Sequence, residues 1–321
     1  MIWIIGSKGQ TGSEVARILT ENKIKWIGSD KELDISDPRA LDTFVLSHDS
    51  EAGRTGNAVS RGKVPEKIKW VINCLEYQDF SETDESKALS DKFNIHGPTN
   101  IARITRQLGA KLIHISSGYV YAGDRQQPYT EESEVKPLSY YGQSKAKGED
   151  AIQKEMNQYY ILRTSWLYGF ESNNFIYNLT NKIAYASSTG VLNDRFGMPV
   201  STSDLAEVVY KIIKQSDKAT SLFGKNAAIP YGVYNFASNE SVSLYDVAGK
   251  LYDYSKLHGK ISNDCDISPI YGQDETMKIY IPDYMNLNCK KIIEKLKIKR
   301  PNWKNSLDKF TKNKNFITGK F

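Results

Sequence analysis

The first twelve residues leave the chain few choices of fold. Met1-Ile2-Trp3-Ile4-Ile5 is an apolar run short enough to be a buried strand, and Gly6, Gly9 and Gly12 lead from it into a helical pattern with Val15, Ile18 and Leu19 on one side. Strand, glycine turn and helix in this order open a nucleotide-binding α/β unit. Glycines there let the backbone turn sharply and approach a pyrophosphate, an anion that the free N–H groups and dipole of a helix N-terminus attract. The spacing is Gly-x-x-Gly-x-x-Gly rather than Gly-x-Gly-x-x-Gly, and taken alone an ordinary glycine-rich turn is the alternative.

The rest of the chain repeats the alternation of short apolar runs with amphipathic stretches, the pattern of an α/β fold with a doubly wound parallel sheet covered on both faces. Strands are expected at 1–5, 24–28, 69–75, 111–116, 159–165 and 233–237. Helices are expected at 10–21, 38–47, 86–108, 140–156, 173–187, 203–216, 243–257 and 302–311, with Pro98 kinking or dividing the third. The polar stretch 47–67, punctuated by Gly53, Gly56, Gly62 and Pro65, reads as an exposed insertion before the third strand.

Chemistry enters with Tyr141-Gly-Gln-Ser-Lys145. A Tyr and a Lys four residues apart on a helix share a face, so the ammonium stabilises the phenolate and lowers a pKa that is ordinarily about 10. The result is a proton donor suited to carbonyl reduction. Ser117 ends the apolar run Lys111-Leu-Ile-His-Ile115, at the carboxyl end of a strand, where open α/β sheets bind ligands. Its hydroxyl can polarise a carbonyl; without partners it is a common turn former. At the end of the second strand an Asp favours NAD through the ribose hydroxyls, while a basic neighbour accommodates the 2′-phosphate of NADP. Asp30 and Lys31 supply both, so the expected cofactor is NADPH or NADH.

Composition narrows the class. No stretch approaches the roughly 20 apolar residues of a membrane helix, and Met1 begins directly on a strand, so a soluble, cytoplasmic protein without a membrane partner is expected. Cys74, Cys265 and Cys289 are widely spaced and without metal-ligand spacing, consistent with reduced structural thiols and no metal. The net charge of +5 conceals a local +9 between Lys290 and Lys320. That tail interleaves Lys with Ile292, Ile293, Leu296 and Ile298, as a solvated helix face does, and it contains no nucleic-acid module. A nucleic acid polymer is therefore not the expected partner.

Taken together, the blocks resemble the extended short-chain dehydrogenase/reductase superfamily, and within it the dTDP-4-dehydrorhamnose reductase family. The similarity runs through Gly6-Ser-Lys-Gly-Gln-Thr-Gly12, Leu33-Asp-Ile-Ser-Asp37, Ser116-Ser-Gly-Tyr-Val-Tyr-Ala-Gly123, Tyr141-Gly-Gln-Ser-Lys145, Arg163-Thr-Ser-Trp-Leu-Tyr-Gly169 and Asn193-Asp-Arg-Phe-Gly-Met-Pro199. It implies a Rossmann-type cofactor domain over 1–169, joined by about 201–238, and a smaller, discontinuous substrate part from 170–200 and 239–321. Cofactor contacts are implied for Gly6, Gly9, Gln10, Thr11, Gly12, Asp30 and Lys31, for Asp34 and Ile35 beside the adenine, and for Asn73, Cys74 and Leu75. Tyr141 and Lys145 face the nicotinamide ribose in this scheme, with Asn94 placing the Lys through water. Tyr77, Gly118, Tyr119, Trp166 and Arg195 fall at substrate positions, although Trp166 is equally a packed core residue.

The implied reaction is transfer of a hydride to the C4 ketone of a nucleotide-linked deoxysugar, a step of dTDP-rhamnose and polysaccharide biosynthesis, with Ser117, Tyr141 and Lys145 as the catalytic set. The resemblance also allows a homodimer. Several substrate-side positions depart from the family: Gly118 replaces an Asp, Tyr77 is followed by Gln78 rather than Thr, and Arg195 stands where Gln is usual. A sugar-nucleotide epimerase or dehydratase with tightly held NAD is the alternative, but Ser117-Gly118-Tyr119 lacks the acidic pair of the dehydratases. A noncatalytic regulatory subunit is a further alternative, against which the intact Ser/Tyr/Lys set argues.

Overall fold

The computed structural model describes residues 1–48, 66–170, 174–219, 229–272 and 281–316. The expected insertion at 47–67 lies almost wholly outside the described residues. Six strands, β1 (Ile2–Ile5), β2 (Trp26–Ser29), β3 (Trp70–Asn73), β4 (Lys111–Ser117), β5 (Tyr159–Thr164) and β6 (Gly232–Phe236), form one sheet in the order β2-β1-β3-β4-β5-β6. Every pairing is parallel. All six correspond to the strands read from the sequence, and the doubly wound parallel sheet is the expected one.

Strict alternation along the strands explains why the sheet is covered twice. Ile2, Ile4, Trp70, Ile72, Ile113 and Leu162 point into one core, where they meet Val15 and Leu19 of α1 (Gln10–Glu21) and Val208, Val209 and Ile212 of α7 (Thr202–Ala219). Trp3, Ile5, Val71, Leu112 and Ile161 point into the other, against Leu41 and Val45 of α2 (Pro38–His48), Ile101 of α4 (Gly97–Gln107) and Ile152 of α5 (Tyr140–Glu155). The order of connection reverses between β1 and β3. Their carboxyl ends therefore splay two loops apart, and a cleft opens at the switch point.

The expected helix at 86–108 is interrupted: α3 (Asp84–Ser90) passes through one π-helical turn, Asp91–His96, before α4 begins. Pro98 supplies a cause. A proline ring inside a helix clashes with the carbonyl four residues earlier and offers it no N–H, and that carbonyl belongs to Asn94. The displaced oxygen is received by α5 only because position 148 is glycine; a Cβ there would lie 2.1 Å from it.

The second part packs α6 (Phe175–Tyr185), α8 (Leu244–Leu257) and α10 (Trp303–Lys312) around Tyr168, Ile176, Val247, Trp303 and Phe310. Leu287, Cys289, Ile292 and Leu296, the last two on α9 (Lys290–Leu296), return to the cofactor-side core instead. Lys290, Lys295, Lys297 and Lys299 remain exposed. The basic tail is thus in part an amphipathic helix with most of its lysines in solvent, Lys291 excepted, which donates to the Val233 carbonyl at 2.8 Å.

Candidate active site

The cleft at the switch point is a cavity of about 630 Å³ that gathers Gly6, Gly9, Gln10, Thr11, Asp30, Lys31, Asp34, Cys74, Leu75 and Tyr77. Close backbone approach requires two of the glycines. Gly6 has φ +78°, and a Cβ at Gly12 would stand 2.0 Å from the Gly6 carbonyl oxygen. Among the described residues no side chain caps α1 at Gly9, and its first turn contains no acidic residue, so the leading amides are left for an anion. These residues fit a dinucleotide pyrophosphate.

Asp30 is committed within the protein: its carboxylate accepts from the backbone N–H of Lys8 at 2.8 Å and of Lys31 at 2.9 Å, tying the glycine turn to the end of β2. Asp34 pairs with Lys92 at 2.8 Å and accepts from Ser36. Those bonds hold its carboxyl below the usual range, Lys92 contributing most. Ile35, Asn73 and Asn94, also expected at the cofactor, make packing or bracing contacts outside the cavity lining. Ile35 is fully buried against Gly97, where a Cβ would lie 2.3 Å from the Ile35 Cδ1. Asn73 is buried, donating to His114 Nδ1 at 3.0 Å and accepting from Leu75 N–H at 3.1 Å. Asn94 grips Tyr77, donating to its carbonyl at 2.8 Å and accepting from its N–H at 2.9 Å, and donates to Ser144 at 3.0 Å. No direct bond from Asn94 to Lys145 occurs among the described residues; Asn94 braces the loop after β3 against α5.

Tyr141 and Lys145 face inward from the first turns of α5, whose N-terminus is capped by Ser139 accepting from Gly142 N–H. A Cβ at Gly142 would lie 2.2 Å from the Tyr119 carbonyl oxygen, so glycine lets α5 approach the strand end that carries Ser117. The Lys145 ammonium is buried, donating to the Ile115 carbonyl at 3.0 Å and pairing with Glu76 at 3.0 Å. The Tyr141 hydroxyl donates to the same Glu76 oxygen at 2.9 Å. The expectation that Lys145 depresses the Tyr141 pKa needs correction for this state. Burial and then the Glu76 carboxylate push it well above its ordinary value, and only a bond with Ser117 opposes them. Glu76 neutralises the ammonium on which the expectation relied.

Phe80 and Tyr119 wall the phenol, with ring centroids 5.1 and 5.4 Å from that of Tyr141. Neither Glu76 nor Phe80 was singled out from the sequence, because a carboxylate and a ring in a loop carry no spacing that links them to Tyr141. His114 is buried behind the site and held well below its ordinary pKa by desolvation and then by Lys145, so it is neutral.

Farther out, Ser117 ends β4 and accepts from Tyr119 N–H at 3.2 Å. Gly118 faces Met285 and Leu287, and a Cβ on it would lie 3.0 Å from the Met285 Cε. Trp166 is half-buried with φ +42°, a strained value for a bulky residue, and its ring covers Gly197 so closely that a Cβ there would overlap it. Its place is thus partly the packed one that the sequence left open. Arg195 is buried between Asp194 and Asp283, at 3.1 and 3.2 Å, and its Nε has no hydrogen-bond partner among the described residues. Beneath the sheet ends, Arg163 forms a buried pair with Glu149, with N–O distances from 2.6 to 3.1 Å. Ser116 donates to the same carboxylate. Among the described residues no group of three or more His, Cys, Asp or Glu side chains is arranged for a metal ion, and no helix is long and apolar enough to cross a membrane.

A profile of the RmlD substrate binding domain family matches residues 1–316. The chain belongs to that family. Its RmlD-type relatives include the dTDP-4-dehydrorhamnose reductase of Aggregatibacter actinomycetemcomitans, 25% identical over 306 residues that cover 95% of this chain and 96% of that one. The crystal structure of a dTDP-4-dehydrorhamnose reductase from Clostridium acetobutylicum superposes with a TM-score of 0.80 at 29% identity, covering 96% of this chain and 97% of that one. The dTDP-4-dehydrorhamnose reductase of Bacillus anthracis, solved in complex with NADP, gives a TM-score of 0.80 at 25% identity over 96% and 97% of the two chains. The surroundings of Gly118 are apolar, since Met285 and Leu287 occupy the space that a longer side chain there would enter.

Proposed function

We propose that this protein is an NAD(P)H-dependent reductase acting on the C4 ketone of a nucleotide-linked deoxysugar, with dTDP-4-dehydrorhamnose the first candidate. The observation that carries the reading is the convergence of the Tyr141 hydroxyl and the buried Lys145 ammonium on one oxygen of Glu76, a residue that lines the glycine-bordered cavity. The RmlD-type family membership and the NADP complex of the Bacillus anthracis relative support it.

The amides from Gln10 to Gly12 would hold the pyrophosphate, and Asp30 with Lys31 would meet the adenosine ribose. When bound, the reduced nicotinamide supplies the hydride that reaches the ketone carbon. Ser117 donates to the ketone oxygen and draws electron density from the carbonyl. Tyr141 gives its hydroxyl proton to that oxygen, and Lys145 stabilises the phenolate that remains. Phe80 and Tyr119 keep water from the phenol. A proton from solvent then restores Tyr141, so each ketone reduced consumes one reduced nucleotide and one proton. A homodimer, a cytoplasmic location and contact of Tyr119, Trp166 and Arg195 with the sugar belong to the same reading.

The test is a panel of nucleotide-linked 4-keto sugars incubated with NADH or NADPH, followed by product analysis. Net oxidation of the cofactor with formation of the C4 alcohol is expected. Isomerised or dehydrated product without net oxidation would favour an epimerase or dehydratase.

A further inference from the structure

We propose that Glu76 is a placeholder for the cofactor: its carboxylate occupies the Lys145 ammonium and the Tyr141 hydroxyl that the nicotinamide ribose takes in the loaded enzyme, so dinucleotide binding must expel it. The inference rests on the reductase reading of this site.

A single oxygen of Glu76 accepts from both groups, at 2.9 Å from Tyr141 and 3.0 Å from Lys145. Lys145 has 1% of its side chain exposed and, among the described residues, one other bond, to the Ile115 carbonyl. An ammonium so deeply buried needs a counter-charge or polar partners when the cofactor is absent. Glu76 meets that need from the loop just after β3, and its side chain is 26% exposed and lines the cavity, which leaves it a route to solvent. Ribose hydroxyls brought to Lys145 and Tyr141 provide the same polar contacts and displace the carboxylate.

Two consequences follow. The free enzyme competes with its own cofactor: if about one molecule in ten has Glu76 withdrawn, apparent affinity is about tenfold below the intrinsic value. Expulsion also removes the charge that holds Tyr141 in its phenol form and returns the Lys145 charge to it. The acid is thereby readied only where a hydride donor is already bound.

The decisive experiment titrates wild type, Glu76→Gln, Glu76→Ala and Glu76→Asp with NADPH in the absence of substrate and measures unliganded thermal unfolding in parallel. The Gln and Ala variants should bind NADPH about tenfold more tightly while melting at lower temperature without it, with Asp between them and wild type. A merely structural Glu76 would lower stability and leave affinity unchanged or weaker, and that result overturns the proposal. Glu76→Gln keeps the shape of the side chain, so the comparison stands even if Glu76→Ala does not fold. Wild type that fails to bind NADPH or NADH would instead overturn the reductase reading itself.

Discussion

Tyr141→Phe removes one oxygen from a ring whose surroundings stay in place. The ring is held by Phe80 and Tyr119 at centroid distances of 5.1 and 5.4 Å, contacts that a phenylalanine keeps. The hydroxyl donates to the Glu76 carboxylate, and a bond of that charged kind is worth about 1.5–3 kcal/mol. Much of this is recovered, because Glu76 keeps Lys145 at 3.0 Å and is 26% exposed, so water can take the vacated position. The expected net loss of stability is below about 1 kcal/mol, a fall in Tm of less than about 2 °C for a chain of this size. Catalysis has no such compensation. Loss of a positioned general acid lowers kcat by about 10²–10⁴, equivalent to about 3–5 kcal/mol of barrier. The assay pairs NADPH oxidation under saturating substrate with a cofactor titration of the same preparation. A kcat within a few-fold of wild type, with Tm and cofactor affinity retained, would refute the assignment of Tyr141.

Other consequences are more local. His114 is neutral when folded and held well below its ordinary pKa, whereas in the unfolded chain it titrates near about 6.5. Its contribution to stability is therefore full above that value and is lost as pH falls. His114→Gln should flatten the fall of the urea midpoint between about pH 7 and 5, and an unchanged slope would place the acid sensitivity elsewhere. Glu149→Gln leaves the buried Arg163 without its counter-charge and should cost about 3–5 kcal/mol in denaturant unfolding; a loss under about 1 kcal/mol would contradict the pair's structural role. Asp30→Ala should shift the ratio of specificity constants toward NADPH and, by freeing the Lys8 amide, loosen the glycine turn; an unaltered ratio would remove Asp30 from the ribose.

Much of the fold was legible because its signals are local. The six sheet strands are short apolar runs, and α1 (Gln10–Glu21) has the limits read from the sequence. The π-helical turn at Asp91–His96 was legible only as a disturbance at Pro98, since its outcome depends on Gly148, distant in the chain but adjacent in space. The site divides in the same way. Tyr141 and Lys145 share a helix face, so their partnership is written in their spacing, and the glycine turn is written in its own. Glu76 is 65 positions from Tyr141, and only the placement of β3 beside β4 brings its loop to the base of α5. The direction of the Tyr141 pKa depends on that third group, which is why a two-residue reading gave the opposite sign. The bonds of Asn94 were illegible for a related reason: the π turn carries its amide to Tyr77 and Ser144.

The central claim is that this site reduces a ketone on a nucleotide-linked sugar, with the nucleotide contributing to orientation as well as to binding. The most direct measurement compares NAD(P)H oxidation by the protein given dTDP-4-dehydrorhamnose with oxidation given the corresponding free ketosugar at matched concentrations. Binding energy from the diphosphate and base, used to hold the ketone at Ser117 and Tyr141, should make both kcat and kcat/KM larger for the nucleotide-linked substrate. Equal efficiency on the free sugar, or on a simple aliphatic ketone, would contradict the account.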